Sequence, residues 1–227
     1  MNYRRLSGAL PLLLLFAAAA AAQERPAPAP APSPQPQPSK VFREARRTSQ
    51  SVPPAFEFEL SGFTYQINGN GAGRRIKGGQ TRRFNLRLDG GDYIERLSFT
   101  EYRDNVLLLC GVTDGESGAG FIVRLEQPSM RSRWKRHIAA FNVGAGLIED
   151  EHVYLTGISF VARLDLRTGE YVWKHEKLER GGGGDFNSFE VPEVRSDAVL
   201  FREKPTGKSP ARTVSVNRKT GKINGIE

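Results

Sequence analysis

Cysteine is nearly absent from this 227-residue chain, where Cys110 stands alone. A single thiol cannot close an intramolecular disulfide or build a Cys-rich zinc site. Histidine is almost as scarce. His137, His152 and His175 have no second His or Cys at i+2 or i+4, so a metal or triad site would require the fold to gather distant groups. From Phe56 onward no ten-residue stretch carries clean 3.6-residue periodicity, which leaves no signal for a long amphipathic helix. The chain also lacks an apolar run of the roughly 20 residues needed to span a bilayer. About fifty N-terminal residues are too biased in composition to join a core. Roughly 175 remain, enough for one domain and too few for a multidomain enzyme.

What is present begins with an address. Met1-Asn2-Tyr3-Arg4-Arg5 precedes a Leu-rich and then all-alanine run over residues 10–22. A short positive start, an apolar middle and a small-residue exit form a secretory signal peptide over 1–22, cut near Ala22 and Gln23. The mature chain is expected to be periplasmic or secreted, without a transmembrane anchor after cleavage and without a lipid-carrying Cys. Losing Arg4 and Arg5 lowers the formal charge of +8 by two, so the mature chain stays basic. Proline then recurs at every second position over 26–38, which removes backbone donors and holds the chain near polyproline II. Residues 23–53 are therefore expected to form a disordered linker. Its basic end (Lys40, Arg43, Arg46, Arg47) reads either as a short helix on anionic lipid or glycan or as a solvated linker terminus.

Residues 54–227 show short β-rich runs separated by Gly, Asp and Asn, an all-β pattern. The chain also repeats. Asp165-Leu166-Arg167-Thr168-Gly169 aligns with Asn217-Arg218-Lys219-Thr220-Gly221, and Arg124-Leu125-Glu126 forms a weaker copy of Arg163-Leu164-Asp165. Trp134 follows Glu126 at the offset that separates Trp173 from Asp165. Each copy is led by an apolar strand, and the strand starts lie about 45 residues apart, a spacing that signals propeller blades. In such a unit the Asp or Asn accepts from turn N–H groups, Thr adds a hydroxyl bond and Gly supplies positive φ. The Trp on the return strand is expected to pack on the neighbouring blade. Asp165, Thr168, Gly169, Trp173, Trp134, Asn217, Thr220 and Gly221 are thus read as structural rather than catalytic.

Residues 153–173, and less completely 198–223, resemble the repeat of pyrroloquinoline-quinone-type (quinoprotein-like) β-propellers, Val-Tyr…Leu-Asp-x-x-Thr-Gly-x-x-x-Trp. One copy matches well. In the first copy Ser129 and Met130 replace Thr-Gly, and in the third Gly225 stands where Trp is expected. The resemblance implies a small, about four-bladed or incomplete β-propeller, with an open β-meander as the alternative. A strand such as 56–60 is a candidate to complete the last blade. The resemblance also implies, in full family members, a quinone beside a metal and a vicinal disulfide. Cys110 alone cannot form that disulfide, so no cofactor is expected.

Other chemistry is thinner. Gly115-Glu116-Ser117-Gly118 resembles a protease nucleophile loop, but all three His follow Ser117, and a polar turn is the simpler reading. Gly-rich residues 68–73 before Arg74, Arg75 and Lys77 suggest a phosphate loop without a following helix. The densest basic cluster surrounds Trp134. Alternation places Arg131, Arg133 and Lys135 on one strand face, a candidate binding face for an anionic envelope glycan or lipid or an acidic protein. No nucleic-acid partner is expected, because the chain is exported and no stacking aromatics alternate with these charges. The reading is a non-enzymatic scaffold or protein-interaction module of the envelope. The competing reading is a glycan-binding or hydrolytic domain using Asp114, Glu116 and Asp185. A carboxylate cluster with a raised pKa would favour the second.

Overall fold

The structure, a computed structural model, describes residues 38–139, 143–178, 188–205 and 210–227. The expected signal peptide, most of the alternating prolines and Asp185 lie outside these residues. The described residues are all-β and form four antiparallel sheets. A short leading segment comes first, as β1 (Lys40–Val41), β2 (Arg43–Glu44) and β3 (Arg46–Arg47). The first blade is β4 (Ala55–Leu60), β5 (Phe63–Asn68), β6 (Ala72–Lys77) and β7 (Gln80–Asn85). The second is β8 (Tyr93–Tyr102), β9 (Asn105–Thr113), β10 (Gly118–Glu126) and β11 (Ser132–Ala139). The third is β12 (Val143–Glu149), β13 (His152–Gly157), β14 (Phe160–Asp165) and β15 (Tyr171–His175). The fourth is β16 (Glu193–Val194), β17 (Ala198–Arg202), β18 (Thr213–Asn217) and β19 (Ile223–Ile226). Each blade is an up-and-down meander, and the whole is an incomplete, open β-propeller.

Strand period explains how the blades stack. The continuous apolar run of β9 sends Val106, Leu108, Cys110 and Val112 into a core shared with Phe56, Phe58 and Tyr65 of the first blade. Its alternate residues Leu107 and Leu109 enter a second core with Val153 and Leu155 of the third blade. A middle blade has two buried faces, so its strands are apolar throughout. The end blades bury one face and alternate. In β4, Phe56, Phe58 and Leu60 point inward while Glu57 and Glu59 do not; in β18, Val214 and Val216 join the third core while Thr213, Ser215 and Asn217 face away. Among the described residues no buried cluster joins the fourth blade to the first.

Two expectations are corrected here. Residues 56–60 do not complete the last blade; β4 pairs with β5 and β3 inside the first sheet. The basic segment is neither helix nor disordered linker end. β1 pairs with β12, β2 with β8 and β3 with β4, so residues 40–47 run backwards across the first-strand edges of the third, second and first blades. The cause is two inward-facing anchor residues that composition hides. Phe42 is buried in the core between the second and third blades, with its N–H donating to Gly146 O at 3.1 Å, and Ala45 N–H donates to Leu97 O at 2.9 Å. Gly146 permits the approach, since a Cβ there would lie 2.8 Å from the Phe42 ring. The charged side chains between these anchors reach carboxylates: Lys40 bonds Glu101 at 3.0 Å, and Arg46 pairs with Glu57.

Candidate functional site

The repeat motif forms the hairpins that link blades. Asp165 Oδ1 accepts from Arg167 N and Thr168 N at 2.8 and 2.9 Å, Thr168 Oγ1 accepts from Glu170 N, and Gly169 lies at φ 73°. Asn217, Thr220 and Gly221 repeat the pattern, with Gly221 at φ 74°. In the second blade Ser129 bonds Glu126, and Met130 takes the left-handed position at φ 57°. These hairpins present a carbonyl to the preceding blade. Trp134 Nε1–H donates to Leu166 O at 3.1 Å, and Trp173 Nε1–H donates to Arg218 O at 3.1 Å. The Trp134 ring packs over Gly169 and the Trp173 ring over Gly221. Trp173 is buried and Trp134 half-buried.

Three arginines that the motif reading did not single out strengthen the same joints. Arg75 donates to Gln127 O, Arg124 to Leu166 O at 2.6 Å, and Arg163 to Arg218 O. The signal for two of them was in the sequence, as the shared Arg-Leu-(Glu/Asp) spacing. Each of the first three blades therefore reaches forward with a guanidinium, and the second and third also with an indole N–H, to the next blade's outer hairpin.

The surfaces with candidate chemistry lie apart. Asp114 caps its own turn, accepting from Glu116 N, Ser117 N and Ser117 Oγ at 2.9, 2.6 and 2.7 Å. The Ser117 N–H and hydroxyl, with the Glu116 N–H, hold its carboxyl down at about 2. Glu57 and Glu126 are also held below the usual carboxylate range, Glu57 by Gln66 and Arg46 and Glu126 by Ser129 and Arg133. A general acid needs the opposite shift. Cys110 is fully buried, and burial pushes its thiol well up. His175 bonds Gly221 O at 2.6 Å, His152 meets Arg163 at 3.1 Å, and the exposed His137 lies edge-on to Phe121. Among the described residues no three His, Cys, Asp or Glu side chains are grouped to hold a metal ion.

The β11 basic face is partly matched by acids. Arg133 pairs with Glu126, while Lys135 bonds Asp89 at 3.1 Å and the Arg87 carbonyl; Arg131 is exposed. Sequence reasoning missed a denser patch on the first blade. Residues 71–88 carry Arg74, Arg75, Lys77, Arg82, Arg83 and Arg87 with no acidic residue. Arg75, Lys77, Gln80, Thr81 and Arg82 line an open cleft of about 610 Å³ beside Phe63. The signal in the sequence was this acid-free run of six cations, and the Gly-rich residues before Arg74 directed attention instead to a phosphate loop and a helix that the described residues do not form.

No protein-family model and no curated protein matches the sequence. Solved structures similar to this chain include the quinohemoprotein alcohol dehydrogenase of Comamonas testosteroni, at 13% identity and TM-score 0.49 over 76% of this chain and 34% of that one. BamB from Moraxella catarrhalis has 13% identity and TM-score 0.46 over 81% of this chain and 52% of that one. Sqt1 of Saccharomyces cerevisiae has 14% identity and TM-score 0.46 over 80% of this chain and 55% of that one. This chain therefore spans between about a third and just over half the length of these proteins.

Proposed function

We propose that this chain is an exported, non-enzymatic protein-interaction module, carried on a Pro-rich tether and serving as a scaffold for another protein of the cell envelope. The observation that carries the reading is the leading segment. Residues 40–47 occupy the first-strand edges of three blades, and Phe42 fills the space beside Gly146. This arrangement supports recognition on the outer surfaces, where exposed strands and charged side chains are displayed. The downward shift of the turn carboxylates supports a binding role over acid–base hydrolysis.

The test is to express the tagged full chain in its native host, fractionate the cells and sequence the N-terminus of the recovered protein. A start at or near Gln23 in the envelope fraction, with one envelope protein captured reproducibly after crosslinking, is the expected result. Recovery of residues 1–22 on a cytoplasmic protein would overturn the export half. Turnover of a glycoside or ester that is lost in Asp114→Asn would overturn the non-enzymatic half.

A further inference from the structure

The outer hairpin of the first blade breaks a rule that the other blades keep. Arg74 lies directly opposite Arg83 and Arg75 opposite Arg82, one like-charge pair on each face of the β6–β7 ribbon. Like charges facing each other across a strand pair are destabilising. Nothing anionic in the ribbon offsets them. Arg74 Nε donates to neutral Gln66 at 2.6 Å, Arg75 donates to a backbone carbonyl, and Arg75 and Lys77 lie 4.3 and 4.5 Å from the Phe63 ring centre.

Among the described residues, the same ribbon ends in a strand edge with no further strand paired to it. β7 is the last strand of its sheet, and five of its six residues are exposed. In the second, third and fourth blades the outermost pair carries a register shift that kinks the edge; β6 and β7 pair without one. In the second and third blades the outermost strand is also engaged by the next hairpin, through Trp134 and Arg136 and through Trp173 and His175. β7 is thus a straight edge whose alternate N–H and C=O groups point outward.

We propose that β7 is a docking edge for an extended acidic peptide, which adds a strand to the first sheet. Successive side chains of an added strand point to opposite faces. Two adjacent carboxylates would then meet both cationic pairs, one against Arg74 and Arg83, the other against Arg75 and Arg82. This accounts for cations on both faces, where a flat bilayer would engage one, and for a Gly78-Gly79 tip with no apolar side chain to insert. A polysaccharide or a nucleic acid would satisfy the charges but not the row of backbone donors and acceptors. The charges also select against self-association, because a second copy of this edge would bring cations onto cations. The inference rests on the protein-interaction reading and names the chemistry of the partner segment.

The test uses the mature chain and short fluorescein-labelled peptides of alternating Thr and Val with a central Glu-Glu pair, followed by anisotropy. The expected result is saturable binding that weakens at least about tenfold when Gln-Gln replaces Glu-Glu, and as much when alternate peptide nitrogens are methylated to remove the strand donors. Arg82→Glu with Arg83→Glu should weaken it similarly, while unchanged far-ultraviolet circular dichroism confirms that the variant is folded. Equal binding of the methylated peptide would overturn the added strand even if the variant failed to fold. Tighter binding of phosphatidylglycerol vesicles or a short DNA duplex than of the Glu-Glu peptide would also overturn the proposal. Capture of the same envelope protein by parent and variant alike would overturn this edge while leaving the scaffold reading intact.

Discussion

Gly169 lies at the outer hairpin turn of the third blade and Gly225 at the Trp position of the outermost strand of the fourth, and the two glycines face opposite demands. Gly169 lies at φ 73°, and a Cβ there would sit 2.6 Å from the Trp134 ring. Gly169→Val adds left-handed strain to a clash inside a blade joint, so a loss of about 2 to 5 kcal/mol in urea unfolding is expected. Gly225 has ordinary backbone geometry and open space around its Cβ position, so Gly225→Ala should leave the midpoint within about 0.5 kcal/mol. Equal losses at the two positions would mean that the hairpin does not set the joint. The Asp-x-x-Thr-Gly turn was legible because its chemistry is local, with Asp165 and Thr168 accepting from N–H groups two or three residues on. Trp134 and Trp173 were legible by their shared offset from the turn, although their acceptors lie in the next blade. Arg124 and Arg163 were harder to assign, because their acceptors, Leu166 O and Arg218 O, belong to the following blade.

At the scale of the element, the leading segment is where composition misled. A Pro-rich run that ends in Lys40, Arg43, Arg46 and Arg47 reads as linker, since nothing local marks Phe42 and Ala45 as the inward residues of a strand. Their partners, Gly146 and Leu97, lie far along the chain, and such pairing leaves no periodic trace in eight residues. The basic side chains do not oppose strand formation, because their heads reach solvent or the carboxylates of Glu57 and Glu101 while the stems lie along the sheet edge. Limited proteolysis of the mature chain should therefore leave a core that begins near Ser39 rather than near Pro53. Phe42→Ala should cost about 3 to 5 kcal/mol by emptying the contact among Gly146, Leu109 and Leu155, and should move the protected start beyond residue 47. A stable fragment starting at Pro53 in the parent would show that the segment contributes nothing to the fold.

Across the whole molecule, the first and fourth blades differ from the two middle ones in how they meet their neighbours. The forward-reaching series of Arg75, Arg124 and Arg163 ends at Ser215, and the series of Trp134 and Trp173 ends at Gly225. At the other end, the tight Gly78-Gly79 turn stands where later blades present an accepting hairpin. The one-faced alternation of residues 56–60 and 213–217 announced these end blades, just as the apolar run through Val106 and Leu109 announced a middle one. A ring-closure assumption obscured the difference. The fold also contains groups held in one protonation state. Glu57, Glu101 and Glu126 sit below their ordinary value of 4.5, each held there mainly by hydrogen bonds, from Gln66, Ser61 and Ser129. Burial, and then the Arg163 guanidinium, hold His152 below 6.5, and Arg163 donates to its unprotonated ring nitrogen. For all four the unfolded chain binds protons more readily, so their stabilisation is complete above about pH 6.5 and is lost as pH falls. Burial raises Cys110 above 9.0, and burial together with Glu151 raises Tyr102 from 10.0 to about 12, so the unfolded chain ionises first when pH rises. The urea midpoint should therefore be flat between about pH 7 and 8.5, decline gently below 6.5, steepen below 4.5 and fall again above 9. His152→Gln should remove the decline between 6.5 and 4.5 while leaving the alkaline limb in place. An unchanged slope in that variant would place the acid sensitivity elsewhere than the joint between the third and fourth blades.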